Sequence, residues 1–306
     1  MNATPLLLIP LLLASGLQAR TWTSADGKTL QAGFVSATAT EVTLKRDRDG
    51  REFTLALTKL SEDDRAFVAE TLAEMADNPP APAIEGEYAG LVTGDWELAE
   101  HGKLPYAFYG GASLDGSRKY PLVVSLHGKS DNNENGKQIG QARSFAKPGN
   151  YKERPCLILA PLCYQPHGGT GGGWDDDPGE ETLDLVKDLV KKLPLVDPAR
   201  VYVVGYSMGG FGTWHFLKEE PRLFAAGVPI AGGASGVGSL RSMPIWSFHG
   251  AKDQVVTPAS ARAAAEELKR SKVFKYTEFP DAGHGIVGQV MGDPLVHEWL
   301  FAQKRG

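Results

Sequence analysis

Gly205-Tyr206-Ser207-Met208-Gly209 sets a serine hydroxyl between two glycines in a G-x-S-x-G arrangement. A serine hydroxyl is a weak nucleophile until a base takes its proton, and the base needs a partner that fixes its tautomer. The chain supplies both further on, as Asp253 in Gly250-Ala-Lys-Asp253 and His284 in Asp281-Ala-Gly-His284. Residue types in the order serine, acid, histidine point to acyl transfer, with Ser207 as nucleophile, His284 as base and Asp253 as the acid that orients it. Asp281 competes for the acid's place, but it lies only three residues before His284 and follows a different strand pattern. A tetrahedral oxyanion needs two preorganised N–H donors. The backbone of Met208, next to the nucleophile, is one candidate. The backbone of Lys129, with Gly128 as the alternative, is the other, in the loop after Leu126-His127-Gly128.

The remaining histidines have plainer readings. His127 and His249 end apolar runs and precede glycine, where packing or backbone hydrogen bonding is expected. His215 falls inside the helix after Ser207, and His101, His167 and His297 fall in loop or surface-helix contexts. No pair has metal-ligand spacing, and the Asp175–Asp177 run reads as a solvated loop, so neither metal nor cofactor is expected. Asp47-Arg48-Asp49-Gly50 lacks the ligand spacing of an EF-hand and reads as a hairpin turn. Trp174, at the end of a Gly-rich loop from Gln165, is a candidate to stack on a sugar or aromatic acyl group, with a packing anchor as its alternative. Trp214 and Trp246 read as core.

These side chains must be held by elements. Val201–Val204 is a β-branched run suited to a buried strand, and Phe211–Glu219 can be helical until Pro221 stops it. A strand, a tight turn and a helix are the context that gives G-x-S-x-G its meaning. Further strands are expected at 104–109, 120–126, 156–161, 225–231, 245–248 and 274–279, and helices at 180–193, 258–270 and 292–303. Strands alternating with helices imply an α/β fold with a mostly parallel sheet covered on both faces. Asp253 and His284 then sit just beyond strand ends, on the side where Ser207 emerges. Only about a dozen residues separate Ala231 from Ile245, which leaves no room for a cap domain there. An open site favours bulky or polymeric esters.

The first third is different. Leu6–Ala14 is an apolar run too short to span a bilayer, followed by small residues, and reads as a secretory signal peptide covering residues 1–19, with Ala19 before the cut. A secreted or periplasmic location is expected, with no integral membrane domain after cleavage. Residues 20–75 alternate in the strand period around the turns Asp26-Gly27 and Asp49-Gly50, then open a helix with Ser61 as N-cap and Asp64 at the capping-box position. A Pro-rich linker spans 76–85, and the α/β domain runs from 86 to 306. The two cysteines, Cys156 and Cys163, flank a strand pattern that would hold them roughly 20 Å apart or more, so two buried thiols are expected and no bridge. A composition of 42% hydrophobic and 23% charged residues fits a soluble globular chain, and the formal charge of −5 argues against a nucleic-acid partner.

Two resemblances follow from these residues. Arg20-Thr-Trp-Thr, Asp49-Gly50 and Leu60-Ser-Glu-Asp-Asp-Arg65 resemble the Sla-type homology domain, a small SH3-like barrel. That resemblance implies at most a peptide or surface ligand for residues 20–75. Tyr120-Pro-Leu-Val-Val-Ser-Leu-His-Gly128, Leu159-Ala-Pro-Leu-Cys163, Gly205–Trp214, Pro244–Asp253 and Gly283-His284 together resemble exported carboxylesterases of the polyhydroxybutyrate-depolymerase and feruloyl-esterase-like group, related to dienelactone hydrolases. This second resemblance implies the α/β-hydrolase fold and ester hydrolysis through the serine triad. Relatives often carry a small residue and then Glu-Arg-Gly after His-Gly, where this chain has Lys129-Ser-Asp-Asn-Asn133. Two other readings use the same sequence: a serine peptidase of the same fold, and a non-catalytic surface-binding protein.

Overall fold

Antiparallel pairing organises the first described stretch. The computed structural model describes residues 19–77, 82–129, 134–167 and 172–306. The apolar leader, part of the Pro-rich linker, and parts of the loops after Lys129 and His167 lie outside the described residues. The chain divides into two compact units, 1–81 and 82–306.

In the first unit, β1 (Arg20–Thr23), β2 (Thr29–Ala37), β3 (Glu41–Arg46) and β4 (Glu52–Ala56) pair in sequence order. Gly50, at φ 66°, makes the turn between β3 and β4. After β4 the chain returns to β1: Ser24 and Leu60 form a bridge, and the Ser61 amide donates to the Thr23 carbonyl at 2.8 Å. That return curls the sheet toward a small barrel. Alternate residues point inward, so Trp22, Phe34, Val42, Leu44 and Leu60 share one core with Val68 of α1 (Glu62–Asp77). Ser61 caps α1, accepting the Asp64 amide at 3.2 Å. The Asp64 carboxylate does not reach back to the Ser61 amide. It accepts instead from the Thr23 amide at 2.6 Å and the Arg20 guanidinium at 2.7 Å, which ties the helix to β1.

The second unit is built on one eight-stranded sheet. In chain order its elements are β5 (Trp96–His101), β6 (Leu104–Gly110), β7 (Tyr120–Leu126), α2 (Arg143–Ala146), α3 (Pro148–Glu153), β8 (Leu157–Pro161), α4 (Asp177–Lys192), β9 (Val196–Tyr206), α5 (Met208–Glu219), β10 (Ala226–Ile230), β11 (Ile245–Gly250), α6 (Ala259–Glu267), β12 (Phe274–Phe279), α7 (Val287–Gly292) and α8 (Pro294–Phe301). The sheet order is β12-β11-β10-β9-β7-β8-β6-β5. The pairings from β8 through β12 are parallel, while β5 and β6 join antiparallel at one edge. Every residue of β7, β8 and β10 is buried, which is why these strands read as continuous apolar runs rather than alternating ones.

Three local features differ from the sequence reading. β5 is an additional edge strand whose alternation is weak, with Leu98 exposed. β9 begins at Val196, five residues before the apolar run. The closing helix expected at 292–303 is α8, Pro294–Phe301, with a separate short helix, α7, ending just before it at Gly292: the Asp293 side chain caps α8 by accepting the Leu295 amide at 2.9 Å, and Pro294 cannot donate to a continuous ladder. Cys156 and Cys163 are buried and unbridged. Among the described residues, no helix is long and apolar enough to cross a membrane.

Candidate active site

The turn between β9 and α5 carries Ser207 at φ 57°, ψ −115°, a conformation that non-glycine residues rarely adopt. Two glycines make it possible. A Cβ on Gly205 would lie 2.0 Å from the Gly209 carbonyl oxygen, and one on Gly209 would lie 2.0 Å from the Leu126 carbonyl oxygen. The backbone therefore crosses itself at van der Waals contact, and the Ser207 amide is tied to the Ile230 carbonyl at 2.8 Å. The strain is held by the packing of β9 against its two neighbours.

Asp253 and His284 arrive on adjacent strands. β11 and β12 pair in parallel with Gly250 opposite Phe279, so the loops that follow start side by side. They lie in contact: a Cβ on Gly250 would sit 2.2 Å from the Gly283 carbonyl oxygen, and the Lys252 amide donates to the Ala282 carbonyl at 2.9 Å. The result is a continuous hydrogen-bonded chain. His284 Nε2 is 2.9 Å from Ser207 Oγ, and His284 Nδ1 is 2.7 Å from Asp253 Oδ2. With Nδ1–H donated to the carboxylate, Nε2 presents its lone pair to the serine hydroxyl. Asp281 points away, with its side chain 89% exposed and paired to Lys252 at 2.7 Å.

The Asp253 carboxylate is fully buried, and burial pushes its pKa up. Its contact with His284 and the amides of Val256 and Val255 more than offset this and hold it below the ordinary aspartate value. Both amides donate to Oδ1 at 2.9 Å. His249, also fully buried, places Nε2 3.3 Å from Asp253 Oδ2 and 2.8 Å from the Val256 carbonyl. Tyr206 was not singled out in the sequence. Its ring lies 5.1 Å from that of His284, and its hydroxyl donates to the His284 carbonyl at 3.2 Å.

The two candidate oxyanion donors are Met208, next to Ser207, and Lys129, in the loop after β7. Met208 opens α5, where the first N–H groups of a helix lack intrahelical acceptors. The loop after β7 passes over the nucleophile, since a Cβ on Gly128 would lie 3.4 Å from Ser207 Cβ. His127 accepts the Cys163 amide at Nε2 (2.9 Å), so Nδ1 carries the proton and donates to the Gly128 carbonyl at 2.7 Å. Burial keeps this imidazole neutral, against the pull of that carbonyl. In a trans peptide the N–H points opposite to the C=O, so the Lys129 amide faces away from the His127 ring. The Lys129 side chain is exposed.

Trp174 requires a correction. It is fully buried, its indole Nε1 donates to the His127 carbonyl at 3.2 Å, and Gly212 packs flat against it. It cannot stack on a substrate. It braces the same loop from behind, because the β7 end and α5 close around the indole. A pocket of about 240 Å³ lies beside the triad, lined by Gly128, Lys129, Lys137, Gln138, Tyr206 and Val287 among others. A larger cleft of about 420 Å³ runs along α5 past Phe211 and His215, and no triad residue lines either space. Segment 231–244 carries one short 3-10 turn and no cap.

Folding also gathers residues that sequence spacing kept apart. His167, Asp175 and Asp176 bring one ligand atom each within 4.8 Å of one another and could hold a metal ion. His167 Nε2 also contacts Asp176 at 2.9 Å and Asp175 at 3.3 Å, which accounts for the cluster without an ion. His101 lies on β5, while His297 on α8 is buried against the Met291 carbonyl.

Comparison with known proteins bears on the fold that carries these residues. A family model for the prolyl oligopeptidase family matches residues 171–242, which include Ser207 but neither Asp253 nor His284. A bifunctional acetylxylan esterase/xylanase from Neocallimastix patriciarum is 31% identical over 143 residues, 44% of this chain and 20% of that protein. The chain spans about a fifth of the length of the curated relatives it matches. Among solved structures, a thermostable esterase superposes with a TM-score of 0.62 at 24% identity, covering 91% of this chain and 73% of its own. A ferulic acid esterase from Anaeromyces mucronatus, in complex with ferulic acid, superposes at 0.52 and 17% identity, over 69% of this chain and 90% of its own. The fold is that of the α/β-hydrolases.

Proposed function

We propose that the protein is a serine hydrolase that cleaves carboxylic esters. The observation that carries this reading is the unbroken chain from Ser207 Oγ through His284 to Asp253, at 2.9 and 2.7 Å. Ser207 Oγ attacks the ester carbonyl carbon while His284 Nε2 takes its proton. The amides of Met208 and Lys129 hold the oxyanion. The alcohol leaves with the proton from His284, and water, activated by the same imidazole, releases the acid from the acyl-enzyme. Within the fold we place the chain in the exported esterase group related to feruloyl esterases and polyhydroxybutyrate depolymerases, a reading that rests on the motifs from Tyr120 to His284. Acylated polysaccharides or other bulky esters are the proposed substrates. The absence of a cap in segment 231–244 and the similarity to an acetylxylan esterase support them.

A second reading, peptide cleavage, has one specific support: the prolyl oligopeptidase match over residues 171–242. Assaying purified protein on p-nitrophenyl acetate, methyl ferulate, acetylated xylan and peptide p-nitroanilides separates the two. Ester turnover is expected, with Ser207→Ala slower by at least about 10³-fold. Equal turnover by the variant would sink the mechanism, and preference for the anilides would favour the peptidase. We further propose export and removal of residues 1–19. In the native host, protein for the same assay is expected outside the cytoplasm with Arg20 at its N-terminus.

A further inference from the structure

His249 is the second imidazole at the acid, and nothing in the acyl-transfer chemistry calls for it. It is the penultimate residue of β11 and has no exposed surface. Its Nε2 faces the Val256 carbonyl at 2.8 Å, an acceptor only, so Nε2 bears the proton. Nδ1 is then bare, buried and without a partner among the described residues. An unpaired buried nitrogen is costly, and an apolar side chain of similar shape would avoid it. What the imidazole supplies lies at Nε2. There the N–H donates to the Val256 carbonyl of the acid's turn, and the same nitrogen lies 3.3 Å from Asp253 Oδ2. Val256 is gripped from both sides, since its own amide donates to Asp253 Oδ1 at 2.9 Å. Oδ2 faces His284 Nδ1 at 2.7 Å.

We propose that His249 is a positioning residue for the triad acid: its Nε2–H fixes the 253–256 turn and directs Asp253 Oδ2 at His284. The carboxylate accepts three N–H groups, the Val255 and Val256 amides on Oδ1 and His284 Nδ1 on Oδ2, and only His284 takes part in proton transfer, through its other nitrogen. Without the N–H at position 249, the Val256 carbonyl loses its partner and the turn relaxes, so Asp253 points less well at the base. The nucleophile is then activated less, while the pocket beside Lys129 and Tyr206, which His249 does not line, is untouched. The effect belongs on kcat rather than on KM.

This rests on the serine-hydrolase reading, and the test separates the two. Gln places an amide N–H where Nε2 stands, Asn places it one position short, and Leu keeps only bulk. For His249→Gln, His249→Asn and His249→Leu, two quantities are measured: kcat and KM on p-nitrophenyl acetate, and the rate at which a fluorophosphonate probe modifies Ser207. In the probe reaction the Oγ–P bond forms, the P–F bond breaks, fluoride leaves and the serine proton passes to His284. His249→Asn is expected to lose at least about ten-fold in kcat and in labelling rate, with KM within about two-fold, and His249→Gln to recover most of that loss. In an Asp253→Asn background, His249→Asn is expected to cost nothing further. Should His249→Leu fail to fold, the Gln and Asn pair still decides. Equal losses in Gln and Asn, no loss in either, or the same loss in the Asp253→Asn background would each overturn the proposal. Wild-type protein that labels but turns over no ester sinks the ester reading alone, and the labelling rates still judge His249. Wild-type protein that does not label sinks both.

Discussion

Asp253 and Asp281 are both near His284 in the chain or in space, and only one can orient it. Asp253 is buried, held by two backbone amides and within 2.7 Å of Nδ1, while Asp281 pairs with Lys252 at the surface. Placement beyond the strand end before His284's own strand favoured Asp253 in the sequence, and the geometry gives the physical ground. Asp253→Asn is expected to lower kcat by about 10⁴-fold, because an amide cannot hold the tautomer that leaves Nε2 bare. Asp281→Ala, which removes one exposed ion pair, is expected to leave kcat within about two-fold. Steady-state kinetics on one small ester checks both, and comparable losses in the two variants would reverse the assignment. Tyr206 and His249 had no comparable signal. An aromatic at the second position of G-x-S-x-G and a histidine before glycine look alike whether or not they touch the site.

At the scale of elements, the site depends on the edge of the sheet at β11 and β12. The β12 strand is pinned to α6 by Glu278, which accepts from Arg262 at 2.9 and 2.7 Å and from the Tyr276 hydroxyl at 2.6 Å. The Arg262 guanidinium contributes most to holding the Glu278 pKa down, at about 2, against a smaller cost of burial. A carboxylate with a folded-state pKa below its unfolded value stabilises the fold above the unfolded pKa, about 4.3, and loses that contribution as pH falls through about 2. Glu278→Gln is therefore expected to melt below the wild type at pH 7, modestly since Arg262 is half exposed. The gap should close as pH drops toward 2. A gap independent of pH would mean that packing, not charge, is what the substitution disturbs. Strand identity was legible here because β11 is a short apolar run and β12 alternates Phe274 and Tyr276 with Lys275 and Thr277. β5 was not, as its apolar residues Trp96, Leu98 and Ala99 break the two-residue period at Ala99.

Among the described residues the molecule holds two cores, one around Trp22 and Phe34 and one around the eight-stranded sheet. Each unit buries its own apolar residues, as an independently folding domain must. The triad and its supporting residues all belong to the second unit. A chain of residues 82–306 is therefore expected to keep kcat/KM on p-nitrophenyl acetate within about two-fold of the full protein. A large loss, with the truncated chain still folded by circular dichroism, would make the first unit part of the catalytic apparatus. Any loss confined to insoluble or polymeric esters would give the first unit a role in holding such substrates.

The amino-acid sequence by itself determined the local events: a strand breaking into a glycine-flanked serine turn, the order of acid and histidine after it, and the alternation of strands and helices. These are legible because they depend on residues within a few positions of one another, through steric limits at Gly205 and Gly209 and through apolar periodicity. Only the tertiary structure decided which groups meet across long separations. It buried Trp174 behind the loop of His127, gathered His167 with Asp175 and Asp176, and set His249 against the acid's turn. Such contacts are made when parallel strands come into register and their loops close over one edge of the sheet. No spacing along the chain records which loop residue then faces which.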